Sequence, residues 1–353
     1  CLAGWTPSVD AFALVRHGWA SLVEPSRTAA REAAPAVDVL TSERRESAGG
    51  AGRHWMPPEA WRAVTRGLDA GPVAIVVPRA GFATTVLCAR CRERALCEVC
   101  EAPLGQPTAR ALPTCIACGR EHRDWHCPHC HGSAVARAGL GVEAIAEQIR
   151  AMTREPVAVS SAASGVLEDD SVDSGIVVAT PGAVPAVDGG YAAAVVVDAA
   201  AIASGELGAE LEAMRRWLAV GALVRGRASG GRLVLIGDMP ERVRMALTTW
   251  SPIRAVEEEY DERASLSLPP VTRAATVLAD DPRQARSAAQ GAVDDAPGAV
   301  LAEIEGGALI LASRGAMGAI ASRLRAAAVA ASSEGAGALR VRIDAPLGRL
   351  LGL

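Results

Sequence analysis

The chain has 353 residues, half of them apolar and 22% charged, with a formal net charge of −4. That length leaves room for two or three domains with sizeable cores. The charge excludes an overall basic field for gripping nucleic acid, and no apolar run reaches the roughly 18 residues of a membrane span, so a soluble protein with no membrane contact is expected, and the Cys-rich cluster downstream, which looks like metal chemistry, favours a reducing compartment, the cytoplasm.

The 36 basic residues are all Arg, since the chain holds no Lys and no Asn, which reads as GC-rich coding without mechanistic meaning. The chain opens on Cys1, which fits a processed form or a fragment that starts inside a fold. To about Leu40 the pattern is mixed, and residues 47–52 are a small-residue loop, so the first regular element is expected beyond them. Residues 73–77 are a β-branched apolar run between Gly71-Pro72 and Pro78, which predicts a buried strand. Further on, Val142, Ile145, Ile149 and Met152 recur at helical spacing and predict an amphipathic helix. Runs at 176–179, 194–197 and 233–236 are short and continuously apolar, as strands covered on both faces of a parallel α/β sheet are, and a helix is expected over 210–224. An acidic helix around 256–263 and the Pro269-Pro270 break precede a new domain. Its order is strand 274–279, helix 282–293, strands 300–304 and 308–311, helix 316–331 and strand 339–343, a split-βαβ plan.

Eight cysteines stand in four CxxC pairs: Cys88/Cys91, Cys97/Cys100, Cys115/Cys118 and Cys127/Cys130. Each CxxC wraps a turn that points two thiolates at one tetrahedral metal, so four pairs fill two structural zinc sites, Zn2+ being expected twice per chain. Spacing alone leaves nested, sequential and crossed pairings open. Closed four-thiolate sites have no open position for water, so they fold a module and do not catalyse. His122, His126, His129 and His131 crowd the same stretch and are expected to be exposed or to support the ligands from outside. Six Arg stand against five carboxylates between Cys88 and Cys130, and two tetrathiolate zinc centres bring the sum to about −3, a poor magnet for phosphates. Contact with protein partners, or with DNA through Trp125 and local Arg, fits that charge better than non-specific backbone binding. Gly205 and Gly230-Gly231 read as turns with no phosphate role.

The stretch Val76-Val77-Pro78-Arg79-Ala80-Gly81-Phe82-Ala83, followed by Cys88-Ala89-Arg90-Cys91, resembles the bacterial primosomal replication-restart helicase family, PriA or primosomal protein N′. In that family a hydrophobic strand and an RRGY-like turn lead into the same eight cysteines. Gly139-Leu140-Gly141-Val142-Glu143 resembles its GxGTE segment, Arg263 with Leu268-Pro269-Pro270 its RxxxxxPP stretch, and Trp5-Thr6-Pro7-Ser8 the ATPS piece of a helicase motif. The resemblance implies nested zinc sites: Cys88, Cys91, Cys127 and Cys130 on one ion, Cys97, Cys100, Cys115 and Cys118 on the other. It implies an α/β fold in which residues 1–50 are a remnant of helicase lobe 1 and a linker. Residues 51–87 and 131–255 are then a degenerate RecA-like lobe 2, 88–130 the inserted two-zinc Cys-rich module and 256–353 a C-terminal α+β domain.

The departures bear on mechanism. A phosphate loop needs a Lys to reach the β- and γ-phosphates, and there is none. Where the family carries GTQMxxKGHDF, residues 179–188 read ATPGAVPAVD, and where it carries QVAGRAGR, Leu223 takes the place of the first Arg, with Arg225 and Arg227 nearby. By the resemblance, the family's N-terminal DNA-binding domain, phosphate loop and acidic Mg²⁺ motif lie upstream. The expected function is therefore replication restart without helicase activity: recognition of stalled forks and help in loading the replicative helicase. DNA at stalled forks, primosome proteins, the replicative helicase and single-strand-binding protein are the expected partners of a nucleoid-associated protein, with no catalytic or nucleotide-binding residue assigned. The alternatives are a fragment of an active ATP-dependent 3′-to-5′ helicase and a generic zinc-ribbon nucleic-acid-associated protein.

Overall fold

Short apolar runs between helices build a parallel sheet here because every strand is followed by a crossover that carries the chain back to the same edge. In this computed structural model, residues 3–78, 86–91, 93–105, 112–115, 118–137, 141–202, 207–335 and 337–344 are described. The elements before the cysteines are α1 (Val9–Arg16), α2 (Arg27–Ala33), β1 (Ala36–Leu40), α3 (Ser42–Glu46), α4 (Pro58–Leu68) and β2 (Val73–Val76). The cysteine stretch holds β3 (Val86–Cys88), β4 (Leu104–Gly105), β5 (Thr114–Cys115) and β6 (Val135–Arg137). It is followed by α5 (Val142–Met152), β7 (Val157–Ser160), β8 (Ile176–Ala179), β9 (Ala193–Val196), α6 (Ala209–Ala222) and β10 (Arg232–Ile236). The chain closes with α7 (Glu241–Thr249), α8 (Ile253–Ser265), β11 (Arg273–Leu278), α9 (Pro282–Val293), β12 (Val300–Ile304), β13 (Gly307–Ala312), α10 (Arg314–Ser333) and β14 (Arg340–Ile343).

The chain divides into two units: residues 27–201 with 216–239, and residues 1–26 with 202–215 and 240–353. The first unit is built on a six-stranded sheet of order β1-β10-β9-β2-β8-β7, parallel throughout. Val73 and Ile75 of β2 pack with Ala60 and Val64 of α4 and with Ile145 and Ile149 of α5. The alternate residues Ala74, Val76, Val177, Val196 and Leu235 are buried as well, so both faces are covered. Helix α4 lies close on the sheet at Gly67, where a Cβ would stand 2.8 Å from a methyl of Val73 and 2.9 Å from Ala193. The expectation that regular structure begins beyond residue 52 is overturned. The strand Ala36–Leu40 pairs with β10 at the edge of the sheet. Its signal was lost because an edge strand with Asp38 half in solvent does not read as continuously apolar.

In the second unit, β13 lies between β11 and β12 and runs antiparallel to both, while β14 pairs antiparallel with β11. That connectivity is the split-βαβ arrangement. Ala285 and Ala289 of α9 and Met317, Ile320 and Leu324 of α10 pack with Ala275, Val277, Ala308 and Ile310 of the sheet. Both helix starts are written in the sequence: the Asp281 carboxylate accepts from the Arg283 N–H ahead of Pro282, and the Ser313 hydroxyl accepts from the Ala316 N–H. Ser8 caps α1 in the same way, and Phe12 meets the Tyr260 ring of α8 edge-on at 5.7 Å.

A buried carboxylate organises α8. Glu259, 4% exposed, takes the Arg242 guanidinium at 3.0 Å and the Arg263 Nε at 2.8 Å. Arg242 also reaches Glu210 and Glu262, and Arg263 donates to the Pro269 carbonyl at 3.2 Å. The Arg–Pro-Pro spacing is thus a staple between a helix and the turn that follows it. Replacing Glu259 by Ala leaves two guanidiniums without their shared partner, and the expected loss is about 3–5 kcal/mol, read by urea denaturation. Glu259→Gln, which keeps the shape and one acceptor, should lose less.

Candidate metal centre

The four CxxC turns share one backbone plan. The N–H of the first Cys donates to the carbonyl five residues on: Cys88 to Glu93 (2.7 Å), Cys97 to Ala102 (2.8 Å), Cys115 to Arg120 (2.8 Å) and Cys127 to Gly132 (2.9 Å). In three of them the residue after the second Cys turns into the left-handed region: Glu101 at φ 58°, Gly119 at 72° and His131 at 55°. Its N–H returns to the carbonyl of the first Cys at 2.9–3.0 Å. The corresponding residue of the first turn, Arg92, lies outside the described residues. Glu101 and His131 hold a conformation that favours Gly at a cost of order 1–3 kcal/mol each, which the closed turn sustains.

The turns converge in two groups. Cys88, Cys91, Cys127 and Cys130 form one and Cys97, Cys100, Cys115 and Cys118 the other, with the sulfurs of each group within 4.8 Å of one another. Sulfur separations are 3.5 Å for Cys88–Cys130, 3.6 Å for Cys91–Cys127, 3.8 Å for Cys97–Cys118 and 3.4 Å for Cys100–Cys115. A disulfide needs about 2.0 Å, and all eight cysteines are free. Four sulfurs at about 2.3 Å from a tetrahedral ion stand about 3.8 Å apart, so both donor sets fit a divalent metal. Such an ion would supply structural cross-linking, with no open coordination position for chemistry.

Backbone amides prepare the sulfurs for negative charge. The Val99 N–H points at the Cys97 sulfur (3.5 Å) and the Cys118 N–H at that of Cys115 (3.4 Å). Without a metal the thiols would titrate unequally. The Cys91 N–H leads the effects that draw Cys88 down to about 6. Cys91 has the Glu93 N–H in its favour, yet burial and its thiol neighbours push it up to about 12. Cys97 is lowered, first by the Val99 N–H, whereas Cys100 rises to about 12 because the Cys115 thiol, burial and the other thiols outweigh the Ala102 N–H. In each group the thiol that is drawn down, Cys88 or Cys97, ionises ahead of the one that is pushed up, Cys91 or Cys100, as thiols sharing one site do.

The module has its own small core. Val86, Ala95, Leu104 and Trp125 are buried with Cys88, Cys97, Cys115 and Cys127, so thiols of both groups share one apolar cluster. Trp125 was expected at the surface, in contact with DNA, but it is 3% exposed and its Nε1 donates to the Leu96 carbonyl at 2.9 Å. A module with few apolar residues has to spend its large aromatic on the core. Arg120 and Arg123 are exposed, as are His126, His129 and His131, while His122 is buried. Strands β3 and β6 pair antiparallel on either side of residues 89–134, so the hairpin extends beyond both outer cysteines.

The other residues singled out in the sequence serve the framework. Residues 179–188 leave β8 through a turn in which the Ser160 hydroxyl donates to the Ala183 carbonyl (2.6 Å), Asp169 accepts from the Ala186 N–H and the Tyr191 hydroxyl donates to Pro185. Arg225 donates to the carbonyls of Ala70 and Gly190, and Arg227 to that of Pro35, all at the amino-terminal edge of the parallel sheet. Gly141 stands at the N-cap of α5 and Gly230, at φ 81°, closes a turn. Residues 79–83, Gly139, Leu140 and Gly205 lie outside the described residues. Among the described residues, no helix is long and apolar enough to cross a membrane.

No family model matches the chain. Over 283 residues it is 35% identical to a protein of Mycobacterium leprae named probable replication restart protein PriA, covering 78% of this chain and 43% of that relative. The chain is a PriA-like protein of the actinobacterial type. Proteins of the same name from Mycobacterium bovis and Mycobacterium tuberculosis are each 32% identical over 276 residues, covering 76% of this chain and 42% of the relative. The chain thus spans about two-fifths of the length of these curated PriA relatives.

Two outcomes are expected. Metal binding at neutral pH should expel protons from the raised thiols Cys91 and Cys100. An indicator dye in weak buffer would register them, and because protons compete with the ion, affinity should fall on acidification. Trp125→Ala should destabilise the module by about 3–5 kcal/mol and speed loss of metal to a chelator, whereas Arg123→Ala should do neither.

Proposed function

We propose that this chain is a replication-restart factor that works without helicase activity: a degenerate RecA-like lobe carrying a two-zinc docking module and a C-terminal α+β domain. The observation that carries the reading is the similarity over three-quarters of the chain to proteins named probable replication restart protein PriA. Zinc is the expected ion because the donor sets are all sulfur and tetrahedral in spacing. Cys88, Cys91, Cys127 and Cys130 hold one ion, and Cys97, Cys100, Cys115 and Cys118 the other.

Two observations support an inactive lobe. Arg225 and Arg227 are bonded to backbone carbonyls, whereas a guanidinium that stabilises a transferring phosphoryl group must be aimed at it. The 179–188 segment presents Ala, Val and Pro where the family motif is polar. In this reading the module, closed around its metals and negative in net charge, recruits protein: primosome components, the replicative helicase and single-strand-binding protein at a stalled fork.

The span of about two-fifths of its relatives favours a second reading, in which the chain is part of an active 3′-to-5′ helicase. Forked DNA, ATP and a reconstituted restart assay separate the two when run on the full-length gene product. That product should not turn over ATP or unwind a fork, and Arg120→Ala with Arg123→Ala should lower helicase recruitment several-fold while leaving both metals in place. DNA-stimulated ATP turnover that tracks with it would favour the active-helicase reading. Recruitment that survives the Arg exchanges but not removal of residues 274–353 would move docking to the C-terminal domain.

A further inference from the structure

We propose that Cys97, Cys100, Cys115 and Cys118 form a peroxide-reactive modification site, whose exposed thiolates convert to disulfides and release their ion while the other four-thiol set stays intact. The inference rests on the reading that both sets bind zinc.

The two sets have the same donors and nearly the same sulfur geometry, but not the same cover. In the first, Cys88 and Cys127 are buried and Cys91 and Cys130 half-buried; in the second, Cys97 and Cys115 are buried while Cys100 and Cys118 are exposed. The cover has a structural origin. Strands β3 and β6 clamp the first set, and the Ala89 N–H ties to the Ala134 carbonyl at 2.9 Å. Gly132 lies over the sulfurs, with a Cβ there standing 3.4 Å from both the Cys88 and the Cys130 Sγ, and Arg90 donates to the Cys130 carbonyl. In the second set β4 and β5 pair over two residues, with single bridges Leu96–Pro103 and Thr114–Glu121 beside them, and the turn that carries Cys100 is open, with Val99 60% exposed.

Oxidation of a thiolate follows thiolate character and access. Zinc holds both sets as thiolates, so access decides between them. An exposed thiolate such as Cys118 attacks hydrogen peroxide: an S–O bond forms as the O–O bond breaks, leaving a sulfenic acid and one hydroxide. The Cys97 thiolate, 3.8 Å away, then attacks that sulfur; the S–S bond forms and a second hydroxide leaves. Two thiolates and one peroxide thus give one disulfide and two hydroxides, with two electrons passing from sulfur to oxygen. Cys100 and Cys115, 3.4 Å apart, can close in the same way. Closing either pair needs an approach of about 1.4–1.8 Å to reach the S–S length. An ion that loses two of its four donors is no longer held.

The test uses the full chain with its zinc counted beforehand. Equimolar hydrogen peroxide is added, release is followed with 4-(2-pyridylazo)resorcinol, and free thiols are blocked for mapping by mass spectrometry. One ion per chain should leave about ten-fold faster than the other or more. The first disulfide should join cysteines of the set 97, 100, 115 and 118, and dithiothreitol with added zinc should restore two ions. Release of both ions in a single phase, a first disulfide involving Cys88, Cys91, Cys127 or Cys130, or no release at all would overturn the proposal. Fewer than two ions in the starting protein would overturn the metal reading itself, and this inference with it.

Discussion

A parallel sheet obliges the chain to cross back after every strand, and the first unit is arranged around that obligation. All six strands end at one edge, so whatever a crossover carries is presented from there. The connection that leaves β2, an interior strand, carries the cysteine module before α5 returns the chain to the sheet. The same obligation buries both faces, which is why the strands are apolar almost throughout. Arg225 and Arg227 lie at the opposite edge, where their guanidiniums hold the carbonyls of Ala70, Gly190 and Pro35. An arginine that donates to backbone carbonyls braces the framework.

The module obeys a different rule. It has too few apolar residues to fold on burial alone, and its turns hold Glu101 and His131 in a conformation that favours glycine. The four sulfurs of each centre lie within 4.8 Å of one another and repel once ionised. A divalent ion held at each centre would remove that cost and so couple metal binding to folding of the module. Trp125 packs with thiols of both centres in a common core, although the solvent exposure of the two centres differs. That difference separates a protected cross-link from a reactive one.

In the second unit the stabilising device is ionic. Glu259 accepts two guanidiniums in a nearly water-free position, and through Arg263 it fixes the turn at Pro269 that leads into the split-βαβ sheet. Residues that resemble a family motif in sequence can therefore be read for what they touch. The Arg–Pro-Pro stretch is a helix-to-turn staple, Ser8 is a helix cap, and Gly141 is an N-cap.

Local patterns settled much of this from the sequence. Continuous apolar runs fixed four strands of the parallel sheet, and helical spacing fixed α5, because both faces of such strands, and one face of such a helix, must be apolar. The helices over 282–293 and 316–331 were legible too, whereas the caps Asp281 and Ser313, the second of which starts α10 at Arg314, emerged in the structure. The CxxC pairs announced metal turns because such a turn is a property of a few adjacent residues. What lay beyond the sequence depends on which distant segments meet. The edge strand β1 needed β10, nearly two hundred residues away, to become a strand. Trp125 looked like a surface contact until the Leu96 carbonyl and the thiols closed around it. The grouping of the four CxxC pairs, and the exposure of Cys100 and Cys118 against the burial of Cys88 and Cys127, are set by how the hairpins pack. Spacing along a chain limits which thiols can meet, but only tertiary packing decides which do and which of them water can reach.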